Sequence, residues 1–246
     1  MIRNIFQVSL TTSIVLALAF VFDRLLTKHI SARWRRLIWL MMAIRLIVPF
    51  SLEIKSAPVK LPEVNYDIAV RTPVIQSRGD AEIYNDIDNS ESYAPVLSLK
   101  ELIYIVWAAG AAAVMLYYIG GYVQFRMRIK PHLKKRGGIY VCDKISAPVM
   151  TGFFRHIIIL PDKEYSDEEL RLIVLHEQTH IKHGDVWYKL ILAAAKALHW
   201  FNPLVYVLAA KAERDIEFAC DDEVMTGKNI DEKKEYLRTI LKSADN

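Results

Sequence analysis

Cysteine is scarce in this chain. Only Cys142 and Cys220 occur among 246 residues, far apart and outside any CxxC pair. That argues against a disulfide framework and fits the reducing side of a membrane. Internal repeats and low-complexity tracts are also lacking. Net charge is a modest +4, so the clustering of charge says more than its sum. No small-residue cleavage site follows the first apolar run, which passes straight into Asp23 and Arg24. That run therefore reads as a retained membrane helix rather than a removable signal.

Apolar sequence, by contrast, is abundant at 53% of residues, and it is gathered into runs. These are 5–22, 37–52 and 102–123. A membrane span needs about 20 apolar residues, with a range of roughly 17–25. The second run is short, ends near Pro49 and carries Arg45, which is expected to snorkel or to pair with a neighbouring helix. Residues 23–36 hold five basic residues and one acid, and 124–136 hold six and none, whereas 53–99 hold four basic and eight acidic. The positive-inside rule then places the amino terminus and the acidic loop 53–99 outside, with residue 124 onward in the cytoplasm. Basic stretches beside apolar spans set topology and touch anionic lipid, so direct nucleic-acid binding is not expected.

After the third run, "GIYVCD" and "HIIIL" read as short strands. "SDEELRLIVLHEQTHIKHGD" then opens with a capping box at Ser166 and Glu169, and Leu170, Ile173 and Val174 supply a buried stripe. His176 and His180 share a face of that helix, as zinc-binding imidazoles must, and Glu177 stands beside them as a general base. His183 does not fit the spacing of a third histidine ligand and is expected to lie at the surface or behind the ligands. Further acids follow in "AERDIEFACDDEV", where Glu213, Glu217 and Asp221 stand one turn apart. Spacing does not decide between Glu213 with Glu217 and Glu217 with Asp221 as a ligand and its hydrogen-bonding partner.

Between the two halves lies the apolar segment 186–212. A single crossing would carry Glu217 about 30 Å of hydrocarbon away from His176, too far for a ligand near 2 Å from one metal. Asn202-Pro203 breaks the helix, so a helical hairpin is expected, with Lys196 and His199 toward the interface.

Four ordered blocks, "SAPVMTGFFRHIIILP", "HEQTHIKHGD", "WFNPLVY" and "ERDIEFACDDEV", resemble the BlaR/MecR family of membrane zinc metallopeptidases. The resemblance implies one Zn²⁺ held by His176, His180 and Glu217, with Glu177 as the base, Asp221 behind the ligands and Cys220 packed beneath the site. It also implies that the strand Ile157, Ile158, Ile159 pairs with substrate backbone. The fold expected is a mainly α membrane protein. Three transmembrane helices (1–123, with the outer loop) precede a cytoplasmic α+β, gluzincin-like zinc metalloprotease domain (124–246) with its helical hairpin. The implied location is a bacterial cytoplasmic membrane. The implied partners are the lipid bilayer and a protein substrate, a DNA-binding repressor or the chain itself. "DEKKEYLRTILKSADN" brings no further span and no SxxK-type sensor, so β-lactam sensing is not expected. The chain then reads as a fragment of a longer receptor or as a short member with another input. Two alternatives remain open: a quality-control protease of the HtpX type, and a non-proteolytic transducer that docks a partner.

Overall fold

The computed structural model describes residues 2–26, 30–48 and 98–244, with side chains for 7–21, 30–48 and 98–243. The apolar runs become α1 (Ile2–Leu26), α2 (Ala32–Ile47) and α3 (Leu99–Ile129). A capping box starts α3: the Glu101 N–H donates to Ser98 Oγ, and the Ser98 N–H donates to the Glu101 carboxylate. Two donors orphaned at the helix start are thereby satisfied. Among the described residues one helix, Leu99–His132, is long and apolar enough to cross a membrane, and α1 offers the shorter apolar stretch Gln7–Val21. The 16 residues of α2 reach only about 24 Å, short of a bilayer core. Three spans were expected, and one helix qualifies. The start of α2 at Ala32, rather than Leu37, makes Arg33, Arg35 and Arg36 helical. The acidic loop and the end of the expected second span lie outside the described residues.

Four short strands follow: β1 (Lys134–Arg136), β2 (Ile139–Cys142), β3 (Val149–Thr151) and β4 (Ile157–Pro161). Their order is β1-β2-β4-β3, with β2 and β4 parallel and the outer pairs antiparallel. This corrects the expected substrate strand. Ile157, Ile158 and Ile159 sit on the internal strand β4, opposite Thr151, Met150 and Val149 of β3, and Ile159 also faces Tyr140 of β2. An internal strand has no row of free backbone groups to offer. The two edge strands are β1 and β3. A tight turn joins β3 to β4 at Gly152, where φ is +101° and a Cβ would collide with the Arg155 carbonyl.

The remaining helices are α4 (Asp167–His183), α5 (Asp185–Leu198), α6 (Pro203–Met225) and α7 (Ile230–Ala244). The expected capping box at Ser166 and Glu169 begins α4, and Gly184, left-handed at φ 69°, ends it and turns the chain directly into α5. At the far end Asn202 Oδ1 accepts from the Leu204 N–H, and Pro203 stands at the first helical position of α6. The chain reverses there. Lys196 lies 3.7 Å from Glu213, and Lys189 lies 3.6 Å from Glu217, so α5 and α6 run antiparallel.

This hairpin also runs along α3. Trp107 Nε1 donates to the Leu198 carbonyl at 3.0 Å, and Trp200 Nε1 donates to the Trp107 carbonyl at 3.2 Å. Asn202 Nδ2 ties the turn to α1 through Ser9 Oγ (2.8 Å) and Ser13 Oγ (2.7 Å). His199 was expected toward an interface, but it is buried and bonds the Leu46 carbonyl through Nε2 at 3.0 Å. Lys196 is covered too, with its ammonium 4.6 Å from the centre of the Tyr118 ring. The main core joins Leu16 of α1, Trp39 and Ala43 of α2, Leu192 of α5 and Leu208 and Ile216 of α6. Smaller cores join Ile173 of α4 to Ile158 and Leu160, and Leu172 to Val224 and Tyr236.

Candidate metal centre

Helical spacing puts His176 and His180 one above the other on α4, with their Nε2 atoms 3.1 Å apart. The returning arm of the hairpin brings Glu217 to them. Its Oε2 lies 3.2 Å from His180 Nε2 and 3.8 Å from His176 Nε2. Three donors tetrahedrally placed at 2.0–2.1 Å around one ion would be about 3.3 Å from each other. The separations here fit that arrangement. A second set, His176, His180 and Cys220, also gathers donor atoms within 4.8 Å of one another. Cys220 lies behind the histidines, however. Its Sγ is 3.5 Å from His176 Nδ1 and donates to the His176 carbonyl at 3.4 Å.

The Nδ1 atoms are engaged elsewhere. His180 Nδ1 is 2.7 Å from Asp185 Oδ2, and Asp185 Oδ1 accepts from Arg36 Nη2 of α2 at 2.6 Å. His176 Nδ1 is 2.7 Å from the Tyr236 hydroxyl, which itself donates to Asp221 Oδ1 at 2.6 Å. Because the Tyr236 proton goes to Asp221, its oxygen is left to accept from His176 Nδ1–H. Nδ1 of each ring is thus engaged as a donor, which leaves both Nε2 atoms facing Glu217 as the positions a metal would take once their protons are displaced. Of the three acids in the α6 row, Glu217 meets the histidines, Asp221 reaches His176 mainly through Tyr236, and Glu213 pairs with Lys196. His183 is turned away and held by Glu223 at 2.8 Å.

Asp185, Arg36 and Tyr236 were missed in the sequence. Asp185 stands in the "HGD" already singled out, five residues after His180, and its spacing was the available signal. Arg36 had been assigned to the basic loop, and Tyr236 reads as an ordinary apolar position of an amphipathic helix. An Asp185→Asn exchange keeps the shape but weakens the acceptor that fixes His180. Metal affinity is expected to fall about 10–100-fold, as for other partners of ligand histidines, which competition with a fluorescent chelator would measure.

The donors open onto a cleft of about 270 Å³. Pro148, Val149 and Met150 line one wall, and Ile240 and Ser243 of α7 also line it. Glu177 is buried at its floor, and burial raises its carboxyl pKa against the opposing pull of the two histidines. In Glu217 burial is outweighed by the His180 hydrogen bond, and its pKa is lowered. Burial likewise disfavours charge on the histidines, but Asp221 and Cys220 raise His176 to about 9, and Asp185, Cys220 and Glu217 raise His180 to about 12. Without metal both rings favour protons at neutral pH. Metal uptake should therefore release protons, and apparent affinity should rise with pH by about tenfold per unit for each proton displaced. Calorimetry in buffers of different ionisation enthalpy would count them. Zero release would contradict the raised histidines.

The BlaR1 peptidase M56 family model matches residues 3–245. A methicillin resistance mecR1 protein of Staphylococcus aureus is 21% identical over 270 residues, covering 98% of this chain and 46% of that protein. Regulatory protein BlaR1 of Bacillus licheniformis is 36% identical over 102 residues, 40% of this chain and 17% of that one. Regulatory protein BlaR1 of Staphylococcus aureus is 30% identical over 116 residues, 46% and 20% respectively. The chain spans less than half the length of these curated relatives. With a family match over nearly all of its length, and with paired histidines and an acid at one cleft, this chain belongs to the BlaR1 peptidase M56 family of metal-dependent peptidases.

Proposed function

We propose that the chain is a membrane-embedded zinc endopeptidase that transmits a signal by cutting a cytoplasmic regulator. The observation that carries this reading is the convergence of two Nε2 atoms and a carboxylate oxygen within 3.1–3.8 Å of each other, beside the buried Glu177. His176, His180 and Glu217 would hold Zn²⁺, which supplies Lewis-acid polarisation of a peptide carbonyl and acidification of a water. Cys220 is left as packing because its Sγ faces His176 Nδ1, which the Tyr236 hydroxyl already engages. Glu177, whose burial raises its carboxyl pKa, takes a proton from the attacking water and delivers it to the leaving amine. Asp185, and Asp221 through Tyr236, hold the two rings in place. The edge strand β3, whose Val149 and Met150 line the cleft, aligns the substrate backbone along its wall. α1 and α3 cross the membrane with the amino terminus outside, and the short α2 crosses between them where the bilayer thins to match it. The hairpin enters the bundle from the metal-site side and turns back, which returns Glu217 to His180.

The test compares protein termini in host cells producing the intact chain or Glu177→Gln. A Glu177-dependent terminus in one DNA-binding repressor is the expected result. Termini spread across many membrane proteins would replace signalling with quality control of the HtpX type. Identical termini with metal still bound would replace proteolysis with docking.

A further inference from the structure

The β3–β4 turn displays two adjacent phenylalanines away from the core. Phe154 is 86% exposed, the most exposed of the large apolar side chains described. Its ring centre lies 5.5 Å from that of Trp187, and Phe153 bridges Trp187 (6.0 Å) and Tyr122 of α3 (5.4 Å). The turn is shaped by Gly152, at a φ closed to other residues, so this display is built into the backbone. A bare phenylalanine held this way in water is unfavourable and points to an apolar occupant.

What covers it follows from where Tyr122 lies. Leu116, Ile119, Val123 and Met127 make an exposed apolar strip at helical spacing along α3, the helix that is long enough to span. Basic residues Arg126, Arg128 and Lys130 begin where that strip runs out, and Arg155 adds another on the turn itself. Tyr122 therefore marks the level at which apolar surface gives way to positive charge. Amphipathic aromatics with flanking arginine and lysine at that level are the signature of the headgroup zone of a bilayer. We propose that the turn Gly152–Arg155, with Tyr122 and Trp187, is a membrane anchor inserted into lipid on the face that carries the metal site. The inference rests on the reading of α3 as a span. Trp187 adjoins Val186, which lines the cleft with Asp185 and His180. The anchor thus fixes the cleft at the bilayer surface and directs cleavage to bonds close to the membrane.

The experiment is depth measurement by spin label on the full chain in nanodiscs containing anionic lipid. Single cysteines at Phe154→Cys, Ala112→Cys in mid-α3 and Lys234→Cys on the exposed side of α7 carry the label. The native Cys142 and Cys220 are buried. A label at 154 that meets oxygen but is shielded from an aqueous nickel chelate, at about 5–10 Å below the headgroup boundary, is expected. A label at 154 as accessible to nickel as the one at 234, with 112 deep, overturns the anchor while leaving the span intact and makes the phenylalanine pair a protein-docking surface. An aqueous label at 112 overturns the span and the anchor together.

Discussion

Peptide hydrolysis by the Glu177→Gln protein is expected to fall by about 10²–10⁴-fold with bound metal unchanged. The exchange is nearly isosteric, so the cleft keeps its shape. Neither Nε2 atom nor Glu217 is touched. What disappears is the buried carboxylate beside the paired histidines that is assigned to pick up a proton and return it. Glutamine has no site for that proton at any pH near neutrality. Turnover of a cleaved reporter, read beside metal content on the same preparation, separates the two effects. Turnover equal to that of the intact chain would place the base elsewhere. Loss of metal with loss of turnover would make Glu177 a support of the donors instead.

The second large effect is on stability. Asp215→Ala is expected to lower unfolding free energy by about 3–5 kcal/mol. Asp215 is buried on α6 and accepts from Arg35 Nε (2.9 Å) and Nη2 (2.7 Å) and from Trp39 Nε1 (2.8 Å). Alanine would remove the carboxylate to which Arg35 donates twice and leave the Trp39 N–H without this acceptor, both on α2. The neighbouring Arg33–Glu223 pair is a useful contrast, since Arg33 is 57% exposed and its removal should be nearly neutral. Denaturant titration in mixed micelles would compare the two. Equal effects would mean that burial at Asp215 is not what matters.

The paired histidines of the candidate site are legible because they are local. A separation of four residues on a helix dictates a shared face, and the capping box at Ser166 is set by neighbours three apart. The hairpin is legible for a similar reason, since Asn202-Pro203 cannot continue a helix. The partners that orient the histidines are another matter. Arg36 and Asp185 are 149 residues apart, and the short bond between them depends on how α2 packs against α5. No periodicity encodes that. The arginines at the start of α2 were read as topology signals. They turn out to be counter-ions, because the helix begins at Ala32 and faces acids on α5 and α6. Strand position fails for a related reason. "HIIIL" announces a strand clearly, but an internal place in the sheet depends on β3, whose three residues carry little pattern of their own. Tyr236 looks apolar in sequence, and only its buried hydroxyl reveals its part.

The hairpin turn pinned by Asn202 to Ser9 and Ser13 has a consequence for biosynthesis. The proposed donors and their supports come from α2, α4, α5, α6 and α7, and the arm that returns Glu217 is fastened to α1, which is made well before it. A growing polypeptide therefore lacks a complete site until α1 is in place and translation has passed residue 236. The timing of synthesis itself then guards the cell against a half-made site.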